Sequence, residues 1–278
     1  MMRIGIVGCG TIGSSLARAL DREHAKIVRV VAVADPLRDR ARALQQSLAS
    51  HPAILSLPQL IRRSQLVIEA ASAKVSARVA RLALAAHRDV LVMSTGGLLA
   101  RAASWPRLAS RSRGQLFVPS GGLAGLDGVK AMAIGTIRTV RLTTSKPPRA
   151  LAGAPLVRRR RIVLDKLREP TVIFEGSPAQ AVREFPQNTN VAATLMLACL
   201  LTGRRAASAS SPRIRVRVIA DPGLRQNVHE LEVEGDCGRI SARVQSRPSA
   251  TNPKTSEIAV RSALAVLRQR FSGVRIGT

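Results

Sequence analysis

The chain has 278 residues, 46% of them hydrophobic and 2% aromatic, with no Tyr, so Leu, Val, Ile and Ala must fill its core. Lys and Arg outnumber Asp and Glu by 44 to 17, a net charge of +27, yet only Arg158-Arg159-Arg160-Arg161 forms a run. Few aromatics speak against single-stranded nucleic-acid binding; three widely spaced cysteines speak against a disulfide framework or a zinc site, and no apolar stretch reaches the length of a membrane span. Most of the charge reads as a solvated surface that would steer anionic substrates. The first strand begins almost at Met1, which leaves no room for a signal peptide, and a reduced, cytoplasmic setting fits best.

Ile4 to Val7 reads as a buried strand. Gly8-Cys9-Gly10-Thr11-Ile12-Gly13 follows, and Ile12, Leu16, Ala19 and Leu20 then recur at helical spacing. Strand, Gly-x-Gly-x-x-Gly turn and helix, in that order, are the context in which this motif binds a dinucleotide. Gly8 permits the turn, Gly10 lets a pyrophosphate approach the backbone, and Gly13 lets the helix pack on the strand. The helix N-terminus offers its N–H groups to the phosphates. A second Val-rich strand, Lys26 to Ala34, ends at Asp35, twenty-two positions after Gly13. An acid at that spacing hydrogen-bonds the adenosine ribose and favours NAD; nearby Arg38 leaves NADP open. A bare glycine turn with Asp35 as a helix cap is the competing reading, and it does not account for the strand, helix and acid together.

Leu37, Ala41, Leu44 and Leu48 mark the next helix, and Gln65 to Ala70 a third strand, ending in Ala71 and Ser72. Lys74 to His87 is a helix with Val75, Val79, Leu82 and Ala86 inside; Asp89 to Ser94 and Gln115 to Pro119 are further strands. Alternating strands and helices predict a doubly wound parallel sheet over 1–120, with the dinucleotide across strand ends that carry small residues such as Ala71 and Ser72. A second glycine-rich loop, Pro119 to Asp127, opens a helix, and Arg138 to Lys146 alternates polar and apolar residues, the mark of a half-buried strand. Residues 147–170 are Pro- and Arg-rich; Thr171 to Phe174 reads as a strand and Ser177 to Phe185 as a helix capped by Ser177. Asn188-Thr189-Asn190 opens an apolar helix to Leu201, and 203–212 reads as a linker. Alternation resumes at Ile214, Val216 and Val218, and again in Asn227 to Glu234, which turns at 235–238 into Arg239 to Val244. Residues 121–254 thus form a second, α/β domain with an open mixed sheet, and the final helix, 255–271, returns to the first domain.

The alternation puts Glu230, Glu232 and Glu234 on one face and His229, Leu231 and Val233 on the covered one. Of the four histidines, His24, His51 and His87 read as surface residues. An inward His is most often a satisfied core residue; behind a dinucleotide domain it is a candidate acid–base group. Asn188 and Asn190 read equally as helix caps or as amides for a ligand. Lys146 and Lys254 are candidate carboxylate partners, although each reads first as a solvated lysine. Cys9, without a neighbouring base, reads as filler.

Seven stretches together resemble the L-aspartate dehydrogenase family: residues 8–13, Pro119-Ser120-Gly121-Gly122-Leu123-Ala124-Gly125-Leu126-Asp127, Thr143-Thr144-Ser145-Lys146-Pro147-Pro148, Asn190-Val191-Ala192-Ala193-Thr194-Leu195, Ala220-Asp221-Pro222, Asn227 to Gly235, and Asn252-Pro253-Lys254-Thr255-Ser256. The resemblance covers nearly the whole chain. It implies a Rossmann domain and an open-sheet catalytic and dimerisation domain, NAD(P)-dependent oxidation of L-aspartate to iminoaspartate, and a homodimer. The iminoaspartate can feed NAD synthesis or hydrolyse to oxaloacetate. Residue by residue, Ala124 and Asn190 match cofactor-contacting positions and His229 the catalytic histidine; Ser120, Lys146 and Asn227 are candidates for substrate contact. Gly122 stands where the family pattern usually has Ala. Two other readings compete: a catalytically silent dinucleotide-binding regulator with a basic surface for nucleic acid, and a related amino-acid or semialdehyde dehydrogenase.

Overall fold

The computed structural model describes all residues but 187–189, 202–212, 250, 251, 273 and 278, with backbone alone at 248, 249 and 252–255. The chain divides into two compact units, Met1–Pro119 with Val260–Val274, and Ser120–Ala259 with Arg275–Thr278. The linker read at 203–212 and the candidate Asn188 lie outside the described residues, as does the Lys254 side chain.

The first unit is built on six parallel strands: β1 (Met2–Val7), β2 (Val28–Ala34), β3 (Ala53–Ile54), β4 (Leu66–Glu69), β5 (Asp89–Val92) and β6 (Leu116–Phe117). Their order is β3-β2-β1-β4-β5-β6. It reverses direction between β1 and β4, which opens a crevice beyond the carboxyl ends of those strands. Ile4–Val7, Leu66–Ile68 and Val90–Val92 are apolar on both faces and buried, as a sheet covered on both sides requires. Between them run α1 (Thr11–Glu23), α2 (Arg38–Gln46), α3 (Leu57–Arg63), α4 (Ala73–Ala85), a kinked 3₁₀ segment over Thr95–Ser104 and α5 (Trp105–Ser110).

Three details differ from the sequence reading. β3 has two residues, too few for a periodic signal. α3 carried its signature in Ser56, Pro58 and Gln59, a capping box with Pro in the first turn. The buried face of α4 is Ser76, Val79, Ala80, Ala83 and Leu84, and Val75 is 37% exposed.

The second unit holds α6 (Leu126–Ile134), β7 (Ile137–Lys146), α7 (Pro148–Leu151), α8 (Pro155–Arg159), β8 (Thr171–Gly176), α9 (Pro178–Glu184), α10 (Asn190–Leu201), β9 (Arg213–Ala220), β10 (Asn227–Gly235) and β11 (Gly238–Ser246). A small pair, β12 (Pro248–Ser249) and β13 (Asn252–Ser256), precedes α11 (Glu257–Phe271). The main sheet runs β11-β10-β7-β9-β8 and is antiparallel except for β7 beside β9. Val140, Leu142, Val216, Val218, Leu231 and Val233 share one core with residues of α6, α9 and α10. Helix α10 is apolar all round and nearly enclosed, as such a pattern demands. The other sheet face carries exposed ion pairs, Arg141–Glu232, Arg239–Glu232 and Arg217–Glu175, each worth little while solvated. From α11, Ala263 and Leu267 join the core of the first unit, Arg268 pairs with Glu23, and Arg270 reaches Asp89 at 3.2 Å.

Candidate active site

In the first unit the carboxyl ends of the strands meet the glycine loop. Gly8 has φ +94°, and a Cβ there would lie 2.6 Å from the Ala70 carbonyl oxygen, so only glycine fits. A Cβ on Gly13 would run into the Gly8 carbonyl, which is how α1 packs so close to β1. Gly10 has nothing within 4 Å of its missing Cβ. It is also the N-cap of α1, and no side chain caps that helix. The backbone at Gly10 is thus open where a helix N-terminus favours an anion.

Asp35 does not cap a helix, since α2 begins after Leu37. Its two oxygens accept the Cys9 and Leu37 N–H groups, each at 2.8 Å, which ties the end of β2 to the glycine loop. Each oxygen keeps a lone pair for a further hydroxyl donor. The Cys9 thiol is pushed up to about 12 by burial and by the Asp35 charge, so it stays protonated and inert. Ala71 and Ser72 are exposed at the end of β4. Beneath them the buried Glu69 carboxylate accepts N–H groups from Ala71, Ser72 and Ser94 at 2.9–3.1 Å, joining the ends of β4 and β5. Burial raises the Glu69 carboxyl above its usual range, while those N–H donors pull the other way. An open glycine backbone, an uncapped helix start and a half-buried carboxylate together fit a dinucleotide: pyrophosphate at Gly10 to Gly13 and ribose at Asp35.

In the second unit the covered sheet face changes character at one end. Along β7 it runs Val140, Leu142, Thr144, Lys146; along β10, read back against it, Val233, Leu231, His229. One step further, Asn227 faces Ser246 of β11, and Lys146 faces Ala220 of β9. Thr144 (3% exposed), Lys146 (3%), Asn227 (2%) and His229 (5%) therefore gather at the end of an otherwise apolar surface. Burial of such groups is costly unless they are hydrogen-bonded. Thr144 Oγ1 lies 3.0 Å from His229 Nδ1. The opposite ring edge meets the second glycine loop: a Cβ on Gly122 would come to 3.1 Å from Cδ2, 3.3 Å from Nε2 and 3.5 Å from Val191 of α10. Gly121 at φ +63° and Gly125 at φ +76° bend this loop into α6. Ser120, half-buried, accepts the Leu123 N–H through its carbonyl, and Ala124 is exposed. Asn190 is half-buried at the start of α10. Burial lowers Lys146 to about 8. Burial first, and the Lys146 charge second, push His229 down to about 3, so the ring is neutral through the whole neutral range.

Comparison with known proteins decides the family. Residues 127–270 match the model described as aspartate dehydrogenase, C-terminal, and residues 8–119 the model described as homoserine dehydrogenase, NAD binding domain. An L-aspartate dehydrogenase of Methanosarcina barkeri is 41% identical over the full length of both chains. That of Bradyrhizobium diazoefficiens is 36% identical over 100% of this chain and 94% of its own. The chain belongs to the L-aspartate dehydrogenase family. It is an oxidoreductase with NAD or NADP as cofactor. A crystal structure of aspartate dehydrogenase from Thermotoga maritima, 22% identical and covering 100% of both chains, has the same fold with a TM-score of 0.75.

Within this dehydrogenase the residues singled out from sequence fall into two groups. Gly8 to Gly13, Asp35, Ala71 and Ser72 lie together at the strand ends of the first unit. In the second, Lys146, Asn227 and His229 gather at the polar end of the sheet face, with Ser120 and Ala124 in the loop that meets His229, and Asn190 beside Val191. The solvated reading of Lys146 is corrected: it is buried, because the last residue of β7 lies under cover as its middle does. Two residues passed unnoticed. Thr144 was legible as the position opposite His229 once both strands were in register. Glu69, an acid ending an apolar strand, was the signal for the other.

Proposed function

We propose that the protein oxidises L-aspartate to iminoaspartate, with His229 as proton acceptor. The observation that carries this reading is the neutral imidazole held beside Lys146 and Asn227 at the polar end of a buried sheet face. A bound nicotinamide would supply the acceptor for a hydride from the substrate α-carbon. The amine loses a proton as its nitrogen forms the C=N bond, and the products are iminoaspartate, reduced cofactor and one proton. Gly8, Cys9, Gly10, Thr11, Ile12 and Gly13 would hold the pyrophosphate and Asp35 the ribose, with Ala71 and Ser72 at the neighbouring strand end; Ala124 and Asn190 are cofactor-contacting positions by family resemblance.

Lys146 holds a substrate carboxylate with its ammonium group, and Asn227 and Ser120 supply hydrogen bonds to the same molecule. A base near 3 is weak, and the substrate itself corrects this. Two carboxylates brought beside His229 and Lys146 favour the cationic forms of both and raise the basicity of the ring as the amine arrives. A poised neutral histidine is thereby activated by the dianion it serves. We further read the enzyme as a cytoplasmic homodimer, in keeping with its unpaired cysteines; its product would enter NAD synthesis or hydrolyse to oxaloacetate. The test is NADH or NADPH absorbance on mixing purified protein with L-aspartate and each cofactor in turn. Turnover of L-aspartate above other amino acids is expected; none with either cofactor would refute the reading.

A further inference from the structure

An imidazole is a base at one nitrogen at a time, and the partner of the other nitrogen decides which. Thr144 and His229 sit directly opposite on β7 and β10, and Thr144 Oγ1 is 3.0 Å from Nδ1 with both side chains buried. At that distance one hydrogen is shared between hydroxyl and ring. The other edge of the ring, with Nε2, faces Gly122, where a Cβ would come to 3.3 Å from that nitrogen. Nδ1 is thus occupied and Nε2 is the nitrogen left to a substrate.

We propose that Thr144 is a positioning residue whose hydroxyl oxygen accepts the Nδ1–H of His229, fixing the neutral tautomer that carries its lone pair on Nε2. The reverse sense, with the hydroxyl donating to Nδ1, would put the ring hydrogen on Nε2 and leave no lone pair for the amine proton. The covered sheet face makes the arrangement rigid, since the two residues are held by adjoining strands and not by loops. This rests on His229 being the proton acceptor.

The experiment pairs kinetics with NMR of the full-length protein labelled with ¹⁵N-histidine, where only four histidines contribute signals and His229→Ala assigns the one of interest. In the unaltered protein, Nδ1 of His229 should carry the hydrogen and Nε2 should not. Thr144→Val keeps the shape and removes the acceptor; it should lose that preference and lower kcat about 10- to 100-fold. The KM for L-aspartate and the affinity for NADH should change little, and Thr144→Ser should recover most of the turnover. A hydrogen on Nε2 in the unaltered protein, normal turnover in Thr144→Val, or a serine variant no better than the valine one overturns the proposal. If His229→Ala keeps normal turnover, the base assignment itself has failed; if it is inactive while Thr144→Val is normal, only the tautomer assignment has.

Discussion

Burial lowers both Lys146 and His229 and ties the stability of each to pH in the same sense. Lys146 falls from its ordinary 10.5 to about 8, so in that window the unfolded chain binds more protons and stability rises with pH. Ligand binding runs the other way, because the ammonium that grips a carboxylate is lost as pH rises past about 8. Succinate has both carboxylates and no amine of its own to titrate, so it isolates this group. Its inhibition constant against L-aspartate should weaken as pH rises past about 8, and Lys146→Met should weaken it below that pH and remove the rise. A pH-independent constant would remove Lys146 from the carboxylate site. His229 falls from 6.5 to about 3, so its contribution to stability is full above pH 6.5 and is lost as pH falls toward 3. The period of two on β10 was enough to place His229 on the covered face. The same period did not reveal Lys146, because parity gives the side of a strand and not how far the cover extends.

Among elements, the best legible from sequence were those whose local pattern and tertiary role agree. The unit β1–loop–α1 was readable in order and position, since three glycines with distinct steric duties leave few alternatives, although β1 begins at Met2 and not Ile4, and Ala17 and not Ala19 is buried in α1. Short pieces were not: β3 and the 3₁₀ segment after β5 owe their form to what they pack on. Asp35 shows why an element matters as much as a motif. It accepts the Cys9 N–H, and in the proposed function it also meets the ribose, so it would serve loop and ligand together. Asp35→Ser should raise the KM for NAD and shift the ratio of efficiencies toward NADP by about tenfold or more, the value of a lost hydrogen bond to a charged group. Because the loop is also untied, the KM for NADP should not improve in proportion. An unchanged ratio would mean that this carboxylate does not meet the ribose.

At the scale of the molecule, the excess positive charge lies in both units, from Arg3 to Arg113 in the first and from Arg138 to Arg247 in the second. Spread in this way, it suits attraction of a small anion and cofactor more than a single polyanion track. Steering predicts that kcat/KM for L-aspartate falls as salt rises through the range where the Debye length shrinks from about 30 to 10 Å, while kcat stays nearly flat. A salt-independent kcat/KM would show that the charge plays no part in capture. The glycine loop and Asp35 belong to one unit and His229 to the other, so a His229 variant lets NADH affinity and turnover be read separately. The decisive measurement is kcat, NADH affinity and melting temperature on one preparation of His229→Ala. Loss of a positioned base should lower kcat by about 10²–10⁴-fold with NADH affinity and folding preserved, whereas near-normal turnover in the folded variant would contradict the account.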